Sequence, residues 1–173
     1  IAHEWTMAHS AIHGPERADA EALKNWLEVY PGAATVALSD TYTVDHFLDC
    51  FDASLAAECA GVRQDSGDPF AFADKVEAHY QGLGIDPREK MLVFSDNLDA
   101  DLAGRIEKHV DGRMRSTFGI GTHLTNDFPG VRPFDCVIKL VAYDGCPVVK
   151  LTDDPAKAVG EESKVRETLE RIR

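Results

Sequence analysis

Basic residues are scarce in this sequence: 18 Lys and Arg stand against 30 Asp and Glu, a formal net charge of -12 over 173 residues. Those 18 are scattered, with no stripe among them, so the chain as a whole repels a polyanion. Nucleic acid and anionic membrane surfaces are therefore excluded as partners. Small anions are not, because a few oriented amides bind one against the global field. Long apolar runs are absent too, which excludes a bilayer span, and no basic, apolar and small-residue leader stands at the start. A soluble, cytoplasmic chain is the expectation. Cysteine is limited to Cys50, Cys59, Cys136 and Cys146, with no Cys-x-x-Cys spacing. That pattern predicts reduced, mostly buried thiols and argues against a disulfide framework. Low-complexity stretches and interdomain linkers are missing, and the length suits one domain. The chain opens on Ile1 as if in the middle of an element, so a piece of a longer protein is expected.

What is present is a repeated βα grammar. A helix is predicted over His3–Ile12, and a second, after Pro15, over Glu16–Tyr30 with Ala18, Ala22, Trp26 and Val29 on its apolar face. Short strands are then expected over 34–38, 60–63, 91–94 and 114–118, each followed by a polar turn and a helix. Those helices cover 43–59, from Pro69 to Gly82 or Gly84, and 98–110. The spacing is that of βα units, which build a parallel sheet or barrel. The last part departs from it. Cys136–Tyr143 and Pro147–Leu151 flank Asp144-Gly145, the signature of a β-hairpin, and a charged helix over 160–173 carries Val165, Leu169 and Ile172.

The polar residues fall in the turns. Asp40, then Arg63 with Asp65, then Ser95 with Asp96, then Gly119 with Gly121 each follow a predicted strand and precede a helix. In a parallel α/β architecture those positions share the face at the carboxyl ends of the strands. The stretch Gly61-Val-Arg-Gln-Asp-Ser-Gly-Asp-Pro69 is the densest, with a cation, two carboxylates and a hydroxyl in one turn. Two readings stay open for Asp40, Asp65 and Asp96: functional carboxylates, or helix N-caps. Arg63 has the planar guanidinium that stacks on a ring or pairs with a carboxylate. Asp65 and Asp96 have the oxygen chemistry that holds Mg²⁺ or ribose hydroxyls. Gly119-Ile-Gly121-Thr122 is a candidate phosphate cradle, since glycines let backbone N–H groups approach an anion. It lacks the third glycine of a dinucleotide fingerprint and the lysine of a P-loop.

Other constellations fail on spacing. His3-Glu4 is no zinc protease motif, and the acidic run from Asp96 to Asp101 does not match a calcium loop. His9 and His13 are four apart but no third ligand is indicated, so solvent-facing or capped histidines are expected. His3, beside Glu4 and Trp5, reads either as a packed histidine or as a phosphoryl acceptor.

Six stretches carry a resemblance: Ala2-His-Glu-Trp5, Ala37-Leu-Ser-Asp-Thr41, Gly61 to Pro69, Leu92-Val-Phe-Ser-Asp-Asn-Leu-Asp99, Phe118-Gly-Ile-Gly-Thr-His-Leu-Thr-Asn-Asp127 and Val137-Ile-Lys-Leu140. In this order they resemble the later part of nicotinate phosphoribosyltransferases. The resemblance implies an irregular (β/α) barrel of the type II phosphoribosyltransferase kind, of which this single domain is a fragment, and a homodimer in the full-length enzyme. It implies formation of nicotinate mononucleotide and pyrophosphate from nicotinate and phosphoribosyl pyrophosphate, driven by ATP hydrolysis and requiring Mg²⁺, in NAD salvage. His3 aligns with the histidine phosphorylated from ATP, and Asp40 with the carboxylate that orients it. Arg63 falls beside the pyridine ring. Asp65, Ser66, Gly67, Ser95, Asp96 and Asn97 fall on the ribose, pyrophosphate or metal side, with Asp65 and Asp96 as metal ligands. Gly119, Gly121 and Thr122 fall on the 5′-phosphate. A nicotinamide-specific sibling, or a phosphate-binding fragment inactive on its own, would share these turns.

Overall fold

A computed structural model describes residues 1–134 and 136–172. Two helices open the chain. α1 (His3–His13) ends at Gly14, whose φ of 81° suits glycine, and α2 (Pro15–Val29) begins on Pro15, whose fixed φ and missing N–H cost nothing in a first turn. The buried face of α2 is Ala18, Asp19, Ala22, Leu23 and Leu27. Val29, expected inward, is exposed at the C-terminal end, where the helix has run past the core.

Four short strands follow: β1 (Val36–Leu38), β2 (Gly61–Gln64), β3 (Met91–Phe94) and β4 (Arg115–Phe118). They form one parallel sheet in sequential order, β1-β2-β3-β4, with Leu38 opposite Arg63, Arg63 opposite Val93 and Phe94 opposite Phe118. Gly61 has no substitute in this register, because a Cβ there would run into the backbone carbonyl of Met91. The connections are helical: α3 (Val44–Cys50) and α4 (Ala53–Glu58), α5 (Pro69–Gly82) and α6 (Ala100–Val110). The single helix expected over 43–59 is therefore two. Asp52 breaks it by turning its carboxylate onto the N–H groups of Ser54 and Leu55, both at 3.0 Å, a local bond that competes with helix continuation. The main core lies between sheet and helices, with Phe47, Phe51, Val62, Tyr80, Leu92, Phe94 and Ile106 fully buried.

Beyond β4 the chain has less regular structure. α7 is one turn (Thr122–Thr125), and the expected hairpin contracts to two residues on each side, β5 (Ala142–Tyr143) against β6 (Cys146–Pro147). Its turn is as read, Asp144 and Gly145 having φ values of 48° and 75°. Among the described residues, the remaining expected strand positions make no ladder apart from one bridge, Lys150 to Val159. α8 (Glu162–Arg171) closes a second, smaller core, in which Val165, Leu169 and Ile172 pack on Ala18, Tyr42, Val149 and Leu151. All four cysteines are free, but only Cys59 is buried; Cys136 and Cys146 are exposed because the segment expected to bury them pairs so little. No helix among the described residues is long and apolar enough to cross a membrane.

Candidate active site

The turns after β1, β2 and β3 each spend one polar residue on capping and keep another free, whereas α7 after β4 starts on Gly121 without a side-chain cap. The side chain of Thr43 caps α3, accepting from His46 N–H at 3.1 Å. Asp68 caps α5 through Ala71 N–H and Asp99 caps α6 through Leu102 N–H, each at 2.7 Å. Each cap stands three residues after the first acid of its turn. Asp40, Asp65 and Asp96 are thereby released from the capping role, and the capping alternative for them is corrected. Asp40 is fully buried, a position that a solvent-facing cap does not require.

The released carboxylates gather on His3, which α1 delivers from the first residue of its first turn. His3 is 4 % exposed. Its Nδ1 meets Thr41 Oγ1 at 3.2 Å, and its Nε2 meets Asp65 Oδ2 at 3.2 Å and Asp40 Oδ1 at 3.9 Å. The ring is thus oriented chiefly by Thr41 and Asp65, with Asp40 further off. Asp40 Oδ2 accepts from Ser66 Oγ at 2.5 Å. Asp65 Oδ1 accepts from Arg63 Nη2 and from Ser95 Oγ, both at 2.8 Å, and Arg63 Nε also reaches Ser95 Oγ at 2.8 Å. Gln64 Nε2 donates to the carbonyls of Ser66 and Gly67, and Gly67 takes φ 79°, so the turn after β2 is braced from inside.

Burial holds the His3 imidazole below its ordinary pKa and, with the Lys150 and Lys139 charges adding to this, outweighs the opposing pull of Asp65 and Asp40. The ring is neutral at pH 7, as a nucleophile must be. Burial by itself would raise Asp65, yet the His3 hydrogen bond, the Arg63 charge and the Ser95 hydroxyl together hold it well below the carboxylate range. Burial lowers Lys150 against the pull of Asp40 and Asp65.

A cleft of about 840 Å³ opens beside this cluster, lined among others by Asp65, Asp96, Asn97, Thr122, Lys139 and Lys150. Lys157 also lines it, paired to Asp96 at 2.7 Å, and Lys139 pairs with Glu4 at 3.2 Å. Of the expected site residues, His3, Asp40, Arg63, Asp65, Ser66 and Ser95 form one connected network, while Asp96, Asn97 and Thr122 stand on the cleft wall. A Cβ built on Gly119 would meet Ser95 at ordinary contact distance, and among the described residues nothing lies within 4 Å of one built on Gly121. Sequence reasoning missed Thr41 and the three lysines. Thr41 adjoined a chosen acid and Lys139 lay inside a quoted motif, but Lys150 and Lys157 follow no strand-turn rule and had no local signal. Of the two alternatives for His9, capped and not solvent-facing is what the structure has: it is buried, with Nδ1 at 2.8 Å from the Trp5 carbonyl and Nε2 at 2.9 Å from Asn25 Nδ2.

A sequentially ordered parallel sheet, with polar turns converging at the carboxyl ends of its strands on a cleft that mixes carboxylates with lysines, defines an α/β protein with a polar cleft of small-molecule size. The comparisons narrow this class. The model of the nicotinate phosphoribosyltransferase (NAPRTase) family matches residues 1–172. The nicotinate phosphoribosyltransferase of Edwardsiella ictaluri is 48 % identical over 164 residues, covering 94 % of this chain and 41 % of that protein. The crystal structure of nicotinate phosphoribosyltransferase from Vibrio cholerae superposes with a TM-score of 0.95 at 43 % identity, over 99 % of this chain and 43 % of that one. That of a putative nicotinate phosphoribosyltransferase from Saccharomyces cerevisiae gives 0.93 at 33 %, over 99 % and 44 %. The chain belongs to the nicotinate phosphoribosyltransferase family, and it spans about two fifths of the length of the curated relatives it matches.

Proposed function

We propose that this chain carries the phosphohistidine and phosphoribosyl-binding side of an ATP-coupled nicotinate phosphoribosyltransferase in NAD salvage. The observation that carries the reading is His3 itself: a buried, neutral imidazole, oriented on both nitrogens, at the edge of a cleft lined by lysines. A ring nitrogen of His3 attacks the γ-phosphorus of ATP and ADP leaves. Hydrolysis of the phosphohistidine later returns phosphate and the free ring. Between those events nicotinate displaces pyrophosphate from C1 of phosphoribosyl pyrophosphate. That transition state is oxocarbenium-like, so positioning and charge stabilisation contribute more than a protein nucleophile.

In this reading Arg63, held flat by Asp65 and Ser95, faces the pyridine ring. Ser66 and Gly67 shape the ribose side. Asn97, with its φ of 47°, turns toward the pyrophosphate, and Gly119, Gly121 and Thr122 take the 5′-phosphate. Lys139, Lys150 and Lys157 neutralise the polyphosphate. Asp65 and Asp96 share one cleft and offer carboxylate oxygens, which fit a hard cation. When bound there, Mg²⁺ neutralises pyrophosphate charge. The sequential strand order supports an arc of a (β/α) barrel, and the homodimer and cytoplasmic location expected from the family are kept as part of the proposal.

Incubation with γ-³²P-labelled ATP tests it. Acid-labile, base-stable label is expected on the protein, absent in His3→Gln and retained at pH 6, where an unperturbed imidazole is largely protonated. Undiminished label in His3→Gln would sink the assignment.

A further inference from the structure

The atoms that surround His3 are each fixed from one side and left open on the other. Thr41 holds Nδ1 and leaves Nε2 to the carboxylates. Ser66 holds Asp40 Oδ2, while Asp40 Oδ1 is buried with no hydrogen-bond partner among the described residues. Arg63 and Ser95 hold Asp65 Oδ1, which turns Oδ2 toward the ring. Donor atoms of the three residues all lie within 4.8 Å of one another.

We propose that His3 Nε2, Asp40 Oδ1 and Asp65 Oδ2 form a binding site for a divalent transition-metal ion of the Zn²⁺ or Co²⁺ kind. A tetrahedral ion with bonds of about 2.0–2.2 Å sets neighbouring donors roughly 3.3–3.6 Å apart. The distances from Nε2, 3.2 and 3.9 Å, bracket that range, so a small rotation of either carboxylate completes the geometry. One imidazole nitrogen with two carboxylate oxygens is a donor set for zinc, cobalt or iron; Mg²⁺ prefers oxygen alone. This separates the site from the Asp65 and Asp96 pair, although Asp65 serves both. Thr41, Ser66, Arg63 and Ser95 supply the outer hydrogen bonds that metal ligands require. The charges of Lys150 and Lys139, and of Arg63 bonded to Asp65, oppose the ion, while the Asp40 and Asp65 carboxylates attract it. The ion enters from the cleft that Asp65 lines. With Nε2 ligated and Nδ1 against Thr41, the ring has no nitrogen left for ATP. That consequence rests on the phosphohistidine reading, whereas the site itself does not.

Cobalt titration in metal-free buffer, followed by visible absorption, and zinc titration by calorimetry test the site on the chain as it stands. One equivalent is expected, lost in His3→Gln and weakened at least about tenfold in Asp40→Asn. Ser66→Ala keeps all three ligands and should weaken binding about 10–100-fold, which guards against a ligand variant that fails to fold. Asp127→Asn, at an exposed position outside the cleft, should bind as the parent does. Parent-like titration of both Asp40→Asn and Ser66→Ala would overturn the proposal, as would displacement of cobalt by an equal concentration of Mg²⁺. Zinc should also suppress ³²P-labelling. Metal binding with no label under any condition would remove the phosphohistidine reading and leave the metal site standing.

Discussion

Two stretches of apolar character meet opposite fates in this molecule. From Val36 to Phe118 the apolar side chains enter a core between sheet and helices, Val62 and Phe94 being fully buried. From Leu124 to Tyr143 the chain is richer still in Leu, Phe, Val and Ile, yet Phe134 is 84 % and Ile138 83 % exposed. Hydrophobicity on paper favours burial of the later stretch. The difference is the partner: β1 to β4 each have a neighbouring strand in register, whereas among the described residues of the later stretch only Ala142 and Tyr143 find a ladder. Apolar residues stabilise a fold when burial removes their surface from water, and contribute little while they stay wet.

The largest effect that would break this contrast is a pair of truncations. Phe94→Ala removes a ring wedged between Phe72 and Phe118 and should cost about 3–5 kcal/mol in urea denaturation. Phe134→Ala should stay within about 0.5 kcal/mol. Equal losses would mean that the later stretch is packed in solution.

The contrast also explains what could be read from residues alone. The four strands were legible because short apolar runs ended in polar turns at βα spacing, and that spacing placed Asp40, Asp65 and Asp96 on one face. The strand expected over Cys136–Tyr143 has the right residues, but strand formation needs a partner, and propensity in a sheet is a statement about packing. The gap at Phe51-Asp52 was hidden because Asp in a helical pattern signals a cap only when its side chain turns back. Within the site, Asp40 was legible by position and its partners were not. The family resemblance led to His3; its hydrogen bonds to Thr41 and Asp65, 38 and 62 residues away, are a product of tertiary folding.

A second test concerns how dry the packed half is. Asp19 on α2 is fully enclosed, its pKa pushed up to about 8 by burial and further by the Asp40 charge. The folded state therefore keeps a proton that the unfolded chain releases near pH 4, so folded protein binds more protons between those values. Stability contributed by protonated Asp19 is whole below pH 4 and declines as pH rises towards 8, by on the order of 1 kcal/mol per unit. Asp19→Asn should flatten that slope in denaturation curves taken across pH 4–8. Asp127→Asn, at an exposed position in the later stretch, is the control. An unchanged slope in Asp19→Asn would show that water reaches this carboxylate.

The smallest effect separates the two acids of a single turn. Asp65 and Asp68 are three residues apart, and the geometry gives them unlike duties: Asp68 bonds the Ala71 N–H, Asp65 bonds His3, Arg63 and Ser95. Loss of an N-cap costs about 1 kcal/mol, so Asp68→Ala should lower the urea midpoint slightly and leave cobalt binding and ³²P-labelling at parent levels. Asp65→Asn keeps the cap, but its neutral amide leaves Arg63 without its charge partner and removes one oxygen from the metal trio. Labelling and cobalt binding should both fall, with α5 still capped. Were Asp68→Ala to abolish labelling while the fold stayed intact, the separation of capping from chemistry in these turns would fail.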